Sequence, residues 1–191
     1  MRTRRTKTVD VAPAGEGEYT FVARLTDQAW DGAFGGPTEV VIHDIEITGR
    51  LRGRDLTVVE LDVTPLELPY RPCPTIAPAA AALVGHPLRG PWRKTVLAHL
   101  GGHRGCTHMT TLLLGLAEVT TQVIFQEMNA RTPYTPVTRE DGTWQDTGLD
   151  IEPGLVDVCH SLRHDSPVMI PLLRARSDMV NGPLTETARE G

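Results

Sequence analysis

The residues most able to do chemistry lie between Leu100 and Leu116, L-G-G-H-R-G-C-T-H-M-T-T-L-L-L-G-L. His103, Cys106 and His108 place two imidazoles and a thiol within six residues, and all three types ligate metals. Gly101, Gly102 and Gly105 loosen the backbone ahead of them, and Thr107 is placed to cap the apolar run that follows. A soft donor then sits at a helix N-terminus, where the dipole favours a thiolate.

A metal site needs donors from separate elements, and a catalytic one leaves a position for water. Two further stretches offer them. His43 and Asp44 fall in the β-branched segment E-V-V-I-H-D-I-E-I, and Cys73 sits between Pro72 and Pro74. Neither C-x-x-C nor H-E-x-x-H is present. The competing reading makes Cys73 and Cys106 small buried hydrophobes and His43 a hydrogen-bonded strand residue. Spacing alone does not separate the two.

The other candidates carry less. His99 and His103 stand four apart, but Gly101 and Gly102 break the helix between them. That leaves His99 at a solvated helix end and His103 as an outer-shell group or proton shuttle. His86 and His164 stand among turn residues and read as exposed. Cys159 and His160 are adjacent, so on a helix they point apart and make no self-contained dyad. Glu60 and Asp62 alternate with Leu61 and Val63, as a charged outer strand face does.

Composition bounds the class. The chain has 191 residues and is 40% hydrophobic, enough for an ordinary core in one domain. Its 18 glycines and 15 prolines imply many turns. A net charge of -5 argues against a nucleic-acid surface. The cluster Arg2, Arg4, Arg5 and Lys7 has no apolar run behind it, so it does not read as a secretory signal. No stretch approaches the ~20 apolar residues of a membrane span. These points imply a cytoplasmic protein in which three cysteines serve as thiols or ligands.

The elements that must position the donors follow in order. Residues 1–17 read as a flexible arm, 18–172 as a single α+β domain and 173–191 as a flexible tail. Tyr19–Leu25 alternates as a strand. Residues 31–37 form a turn-rich connector. Glu39–Arg50 is a second strand with Val41, His43, Ile45 and Ile47 on one face, and Leu56–Val63 returns after a hairpin. The proline-rich stretch 65–78 reads as a rigid loop. Helices are expected over 77–84, 91–100 and 107–128, the last the longest. Residues 131–154 read as loop, and 155–163 as one or two helical turns. An antiparallel meander of about three strands against three helices results.

These segments resemble a bacterial family, domain of unknown function 2889. The resemblance rests on E-V-V-I-H-D-I-E-I, L-P-Y-R-P-C-P-T-I-A-P, L-V-G-H-P-L and L-G-G-H-R-G-C-T-H-M-T-T-L-L, with Cys159, His160 and Arg163 closing the order. It covers roughly residues 18–170, with Met109 where leucine is usual. The family name implies no activity. The order of strands, cysteines and helices is also similar to iron–sulfur scaffolds of the NifU N-terminal type, which implies a SufE/NifU-like fold. By that likeness His43, Cys73 and Cys106 match the scaffold's three cysteines, with Asp44 near its aspartate. Gly105 replaces the histidine before the last cysteine, and His108 stands in from the other side. Fewer thiolates favour one Zn²⁺ or Fe²⁺ over an iron–sulfur cluster.

Two functional classes follow. The favoured one is a small metal-dependent enzyme, of lyase or hydrolase type, acting on a small carbonyl, carboxylate or aromatic substrate. His43, Cys73, Cys106 and His108 are its ligands. Asp44 orients an imidazole, His103 or His160 moves the proton, and Arg71 or Arg163 clamps a substrate carboxylate. The other class is a metal, sulfur or iron–sulfur carrier. No nucleic acid or membrane partner is expected, and a homodimer is compatible with either class. On the sequence alone both His43→Ala and Cys106→Ala should strip the ion, which elemental analysis of the purified variants reads directly.

Overall fold

The computed structural model describes residues 2–30, 32 and 39–181. It is α+β, with one four-stranded antiparallel sheet in the order β1-β2-β3-β4. The strands are β1 Arg2–Gly15, β2 Glu18–Trp30, β3 Glu39–Arg52 and β4 Thr57–Glu67. Six helices follow: α1 Trp92–Leu100, α2 Thr107–Gly115, α3 Val119–Arg131, α4 Pro136–Glu140, α5 Thr143–Ile151 and α6 Met169–Asn181. None of them is long and apolar enough to cross a membrane. The chain divides into two compact units, Met1–Val123 and Ile124–Gly191.

The meander gains a strand that the sequence reading missed. Residues 2–15, expected as a loose arm, pair with β2 from Arg2↔Trp30 to Gly15↔Glu18. β1 lies at the sheet edge and only Val9 and Val11 are even half-buried, so it has no need of apolar alternation. Its threonines and valines suit a pleated strand, and its charges suit an open edge.

On β2, Tyr19, Phe21, Ala23 and Leu25 are buried and the residues between them face out. Ile45, Ile47 and Leu51 of β3 and Val58 of β4 continue this inner face. Trp92, Val96 and Leu100 of α1 and Met109, Leu112 and Leu113 of α2 complete the core cluster. The Trp92 indole N–H donates to the Leu113 carbonyl at 2.7 Å, so the largest buried ring leaves no unpaired donor.

The pairing of β2 with β3 slips between Asp27 and Gln28, leaving Ile42 as a bulge. Val41 therefore lies opposite Gln28 and is 39% exposed, not in the row of His43 and Ile45 as the alternation predicts. The helices differ too. Cys73–Leu83 is a run of 3-10 turns, where a helix was expected only over 77–84. The single helix expected over 107–128 is two, α2 and α3, joined by a 3-10 turn at Leu116–Glu118.

The second unit is built from helices where loop was expected. A Thr135–Thr138 capping box opens α4. Arg176 of α6 binds Asp146 and Asp150 of α5, so α6 extends through the segment expected as tail; residues 182–191 lie outside the described residues, as do 31 and 33–38 of the connector. Where one or two helical turns were expected over 155–163, a 3-10 turn at Pro153–Leu155 ends and another follows at His160–Leu162.

Gly49 crosses the sheet opposite Phe21, and a Cβ there would lie 2.6 Å from Phe21 Cζ and against the Glu60 carbonyl. Gly49→Ala should lower the unfolding free energy by about 1–3 kcal/mol, measured as a shift in urea midpoint at unchanged slope.

Candidate metal centre

The site begins as one rung of the sheet. Arg5 of β1 pairs with Asp27 of β2, and Asp27 pairs with His43 of β3. Asp27 lies two residues past Leu25, so the alternation that buries Leu25 carries it onto the same inner face. The Ile42 bulge sits directly beside His43, where it fixes the aim of the imidazole. The first turn of α2 then brings His108 against this rung.

Two features set that turn. Cys106, not Thr107, is the N-cap residue, with φ -101° and ψ 132°, and its carbonyl accepts from Thr110 N–H at 2.8 Å. Gly105 packs so closely that a Cβ would meet Thr110 Oγ1 at 2.9 Å and the Leu100 carbonyl closer still. The Thr110 hydroxyl donates to that carbonyl at 3.1 Å, tying the end of α1 to the start of α2.

The geometry is tight. Arg5 grips Asp27 with a fork of two hydrogen bonds, Nε to Oδ1 and Nη2 to Oδ2, each 2.7 Å. Asp27 Oδ2 also lies 3.0 Å from His43 Nδ1 and 3.6 Å from His108 Nε2. The two imidazoles stack with centroids 3.6 Å apart and planes 27° from parallel. His43 Nδ1 is buried and has no hydrogen-bond partner among the described residues, although the carboxylate is near. One donor atom from each of Asp27, His43 and His108 lies within 4.8 Å of the others. For bonds of about 2.1 Å, ligand atoms around a cation stand about 3.0–3.4 Å apart, so modest closure makes a coordination sphere.

Charge prepares the same set. The Arg5 fork is the largest influence holding the Asp27 carboxyl below the usual carboxylate range, with burial opposing it. Burial is the largest influence keeping the His108 pKa low; His43 and Arg5 add to it and Asp27 opposes. An ionised carboxylate beside a neutral imidazole is the protonation state that binds a cation.

The residues expected from sequence divide. His43 and His108 converge. Cys106 Sγ lies 3.8 Å from His108 Nδ1, the ring nitrogen turned away from Asp27. Cys73 shares with Cys106 a crevice of about 10 Å³, lined also by Ile45, Leu68, Ile76 and Met109. The two thiols thus face an apolar slot with room for roughly one water. Asp44 does not orient His43. It points to the outer face, where Arg24 binds it at 2.8 and 2.6 Å. His103 is exposed on a 3-10 turn and Arg71 is exposed. His160 contacts Arg163 at 3.0 Å within the second unit, and Arg163 also binds Asp165. Asp27 and Arg5 were missed. Continuing the Tyr19–Leu25 alternation by one step would have found an acid on the buried face.

The family model described as "Protein of unknown function (DUF2889)" matches residues 3–122. The chain belongs to this family. The DUF2889 match takes in Arg5, Asp27, His43, Cys106 and His108 and stops short of Cys159 and His160. No curated protein and no solved structure matches the chain.

The low His108 pKa has a sign that can be checked. Because it is depressed in the fold, the unfolded chain takes its proton first as pH falls. Its stability contribution is whole above the ordinary histidine value of about 6.5 and is lost as pH drops through the folded value. With a chelator present, the urea midpoint should fall between about pH 7 and about pH 5.5, and His108→Gln should flatten that fall. A variant profile as steep as wild type refutes the assignment.

Proposed function

We propose that this DUF2889 protein holds one divalent cation on Asp27, His43 and His108 and uses it in a lyase or hydrolase reaction on a small organic substrate. The observation that carries the reading is His43 Nδ1, buried without a hydrogen-bond partner and turned into a space shared with an ionised carboxylate and a second imidazole. Leaving such a nitrogen unpaired costs stability, and a bound cation removes that cost.

Two histidines and a carboxylate with open positions suit catalytic Zn²⁺, and equally a non-haem Fe²⁺. Such an ion, when bound, polarises a carbonyl or lowers the pKa of water. The chain's own part is separate. Arg5 keeps Asp27 ionised and fixes both of its oxygens. The stacked rings hold each other in place.

A second reading, a metal, sulfur or iron–sulfur carrier of the NifU type, draws on the crevice shared by Cys73 and Cys106. It needs at least one thiolate among the ligands.

The two separate by metal content and spectrum. Purified wild type should carry one colourless zinc or one iron per chain after dialysis. Asp27→Asn, His43→Ala and His108→Ala should each lose it, whereas Cys73→Ser and Cys106→Ala keep it. A full complement in His43→Ala overturns the ligand set. Colour that bleaches with reductant and vanishes in Cys106→Ala establishes the carrier instead.

A further inference from the structure

We infer that Arg5 anchors the carboxylate of the substrate, so that the molecule acted on is a small organic acid bound between the Arg5 guanidinium and the metal position. This rests on the metal reading above. It names a substrate class and a residue that reading leaves open.

Charge makes the case first. Asp27 is the acidic member of the cluster, and its charge is matched by Arg5 through the two-bond fork. A divalent cation ligated by the two imidazoles therefore brings two positive charges that the Arg5–Asp27 pair does not compensate. Asp27 and His43 are only 13% and 14% exposed at the side chain, so water does not screen that excess well. Lys7 stands two residues along the same face of β1 and raises the potential further. Asp44, the nearest acid in sequence, is turned to the opposite face and neutralised by Arg24. A site of this sign calls for an anion as its remaining ligand.

Geometry selects the kind of anion. A guanidinium has five N–H donors. Asp27 takes two of them, and the described residues supply no partner for the rest. The Arg5 side chain is 43% exposed while that of Asp27 is 13% exposed, so Arg5 is the member of the pair that an incoming solute can reach. The existing fork shows that this arginine already presents an edge to a planar carboxylate at 2.7 Å. Flat bidentate pairing is the arrangement for which arginine surpasses lysine. Arg71 and Arg163, the cations expected from sequence for this task, have no such position: one is exposed on a loop and the other is held by Asp165.

The test is binding, not turnover. Zinc-loaded full-length protein is titrated calorimetrically with pyruvate, oxalate, pyruvamide and inorganic phosphate, beside Arg5→Gln and Arg5→Lys whose zinc content is measured in the same samples. Wild type should bind pyruvate and oxalate, and pyruvamide at least tenfold more weakly. Arg5→Gln should keep its zinc yet lose at least tenfold in affinity for both acids, and Arg5→Lys should recover only part. Equal binding of pyruvate and pyruvamide overturns the proposal, as does unchanged acid affinity in zinc-replete Arg5→Gln. Phosphate binding as tight as oxalate overturns the choice of carboxylate. Loss of zinc from both Arg5 variants also overturns it and gives Arg5 a supporting role toward Asp27 alone. Failure of wild type to take up zinc is seen before any acid is added; it is the failure of the metal reading and takes this inference with it.

Discussion

The fork between Arg5 and Asp27 is the interaction on which the site depends. An acid on the inner face of a sheet is costly unless it is paired. Here the partner comes from the neighbouring strand, directly across the ladder. The fork holds both carboxylate oxygens and leaves the free side of Oδ2 toward two imidazoles. Without it, burial would push the Asp27 proton affinity up, since burial is the opposing influence on that group. The row Arg5–Asp27–His43 is thus a consequence of antiparallel register, and a one-residue slip of any one of the three strands would turn its member of the row to the other face.

His108 depends on different physics. It reaches the row because α2 starts where it does, and α2 starts there because Gly105 lets the chain pass close to the Leu100 carbonyl. The Thr110 hydroxyl then closes the corner. One half of the cluster is set by sheet register and the other by a helix–helix turn. The apolar core between sheet and helices is what holds the two halves in fixed relation.

Much of this could be read from the chain. The β2–β4 meander announced itself through alternation, and the spacing of His43, Cys106 and His108 singled out stretches that the structure brings together. Asp27 escaped because the expected first strand stopped at Leu25, whereas the buried row continues through it to Ala29. β1 escaped for the reverse reason, since an edge strand that turns only Val9 and Val11 toward the core carries too short an apolar period. The Ile42 bulge has no signature in E-V-V-I-H-D. The cysteines were read as ligands because sequence reveals that a thiol is near a helix start but not which ring nitrogen it faces; the structure puts Cys106 Sγ beside His108 Nδ1 and in a crevice with Cys73. In the second unit, residues 131–154 looked like loop because its helices α4 and α5 are short and bury little, Leu149 being the main apolar side chain they bury.

The position of β1 has a further consequence. An outermost strand held by one neighbour peels at a lower free energy than the whole fold melts. Peeling β1 withdraws the guanidinium and leaves Asp27 and His43 still paired across the remaining three strands. The charge of the cluster is therefore coupled to the breathing of the sheet's rim: with Arg5 withdrawn, the Asp27 carboxylate faces the two imidazoles without its matching cation.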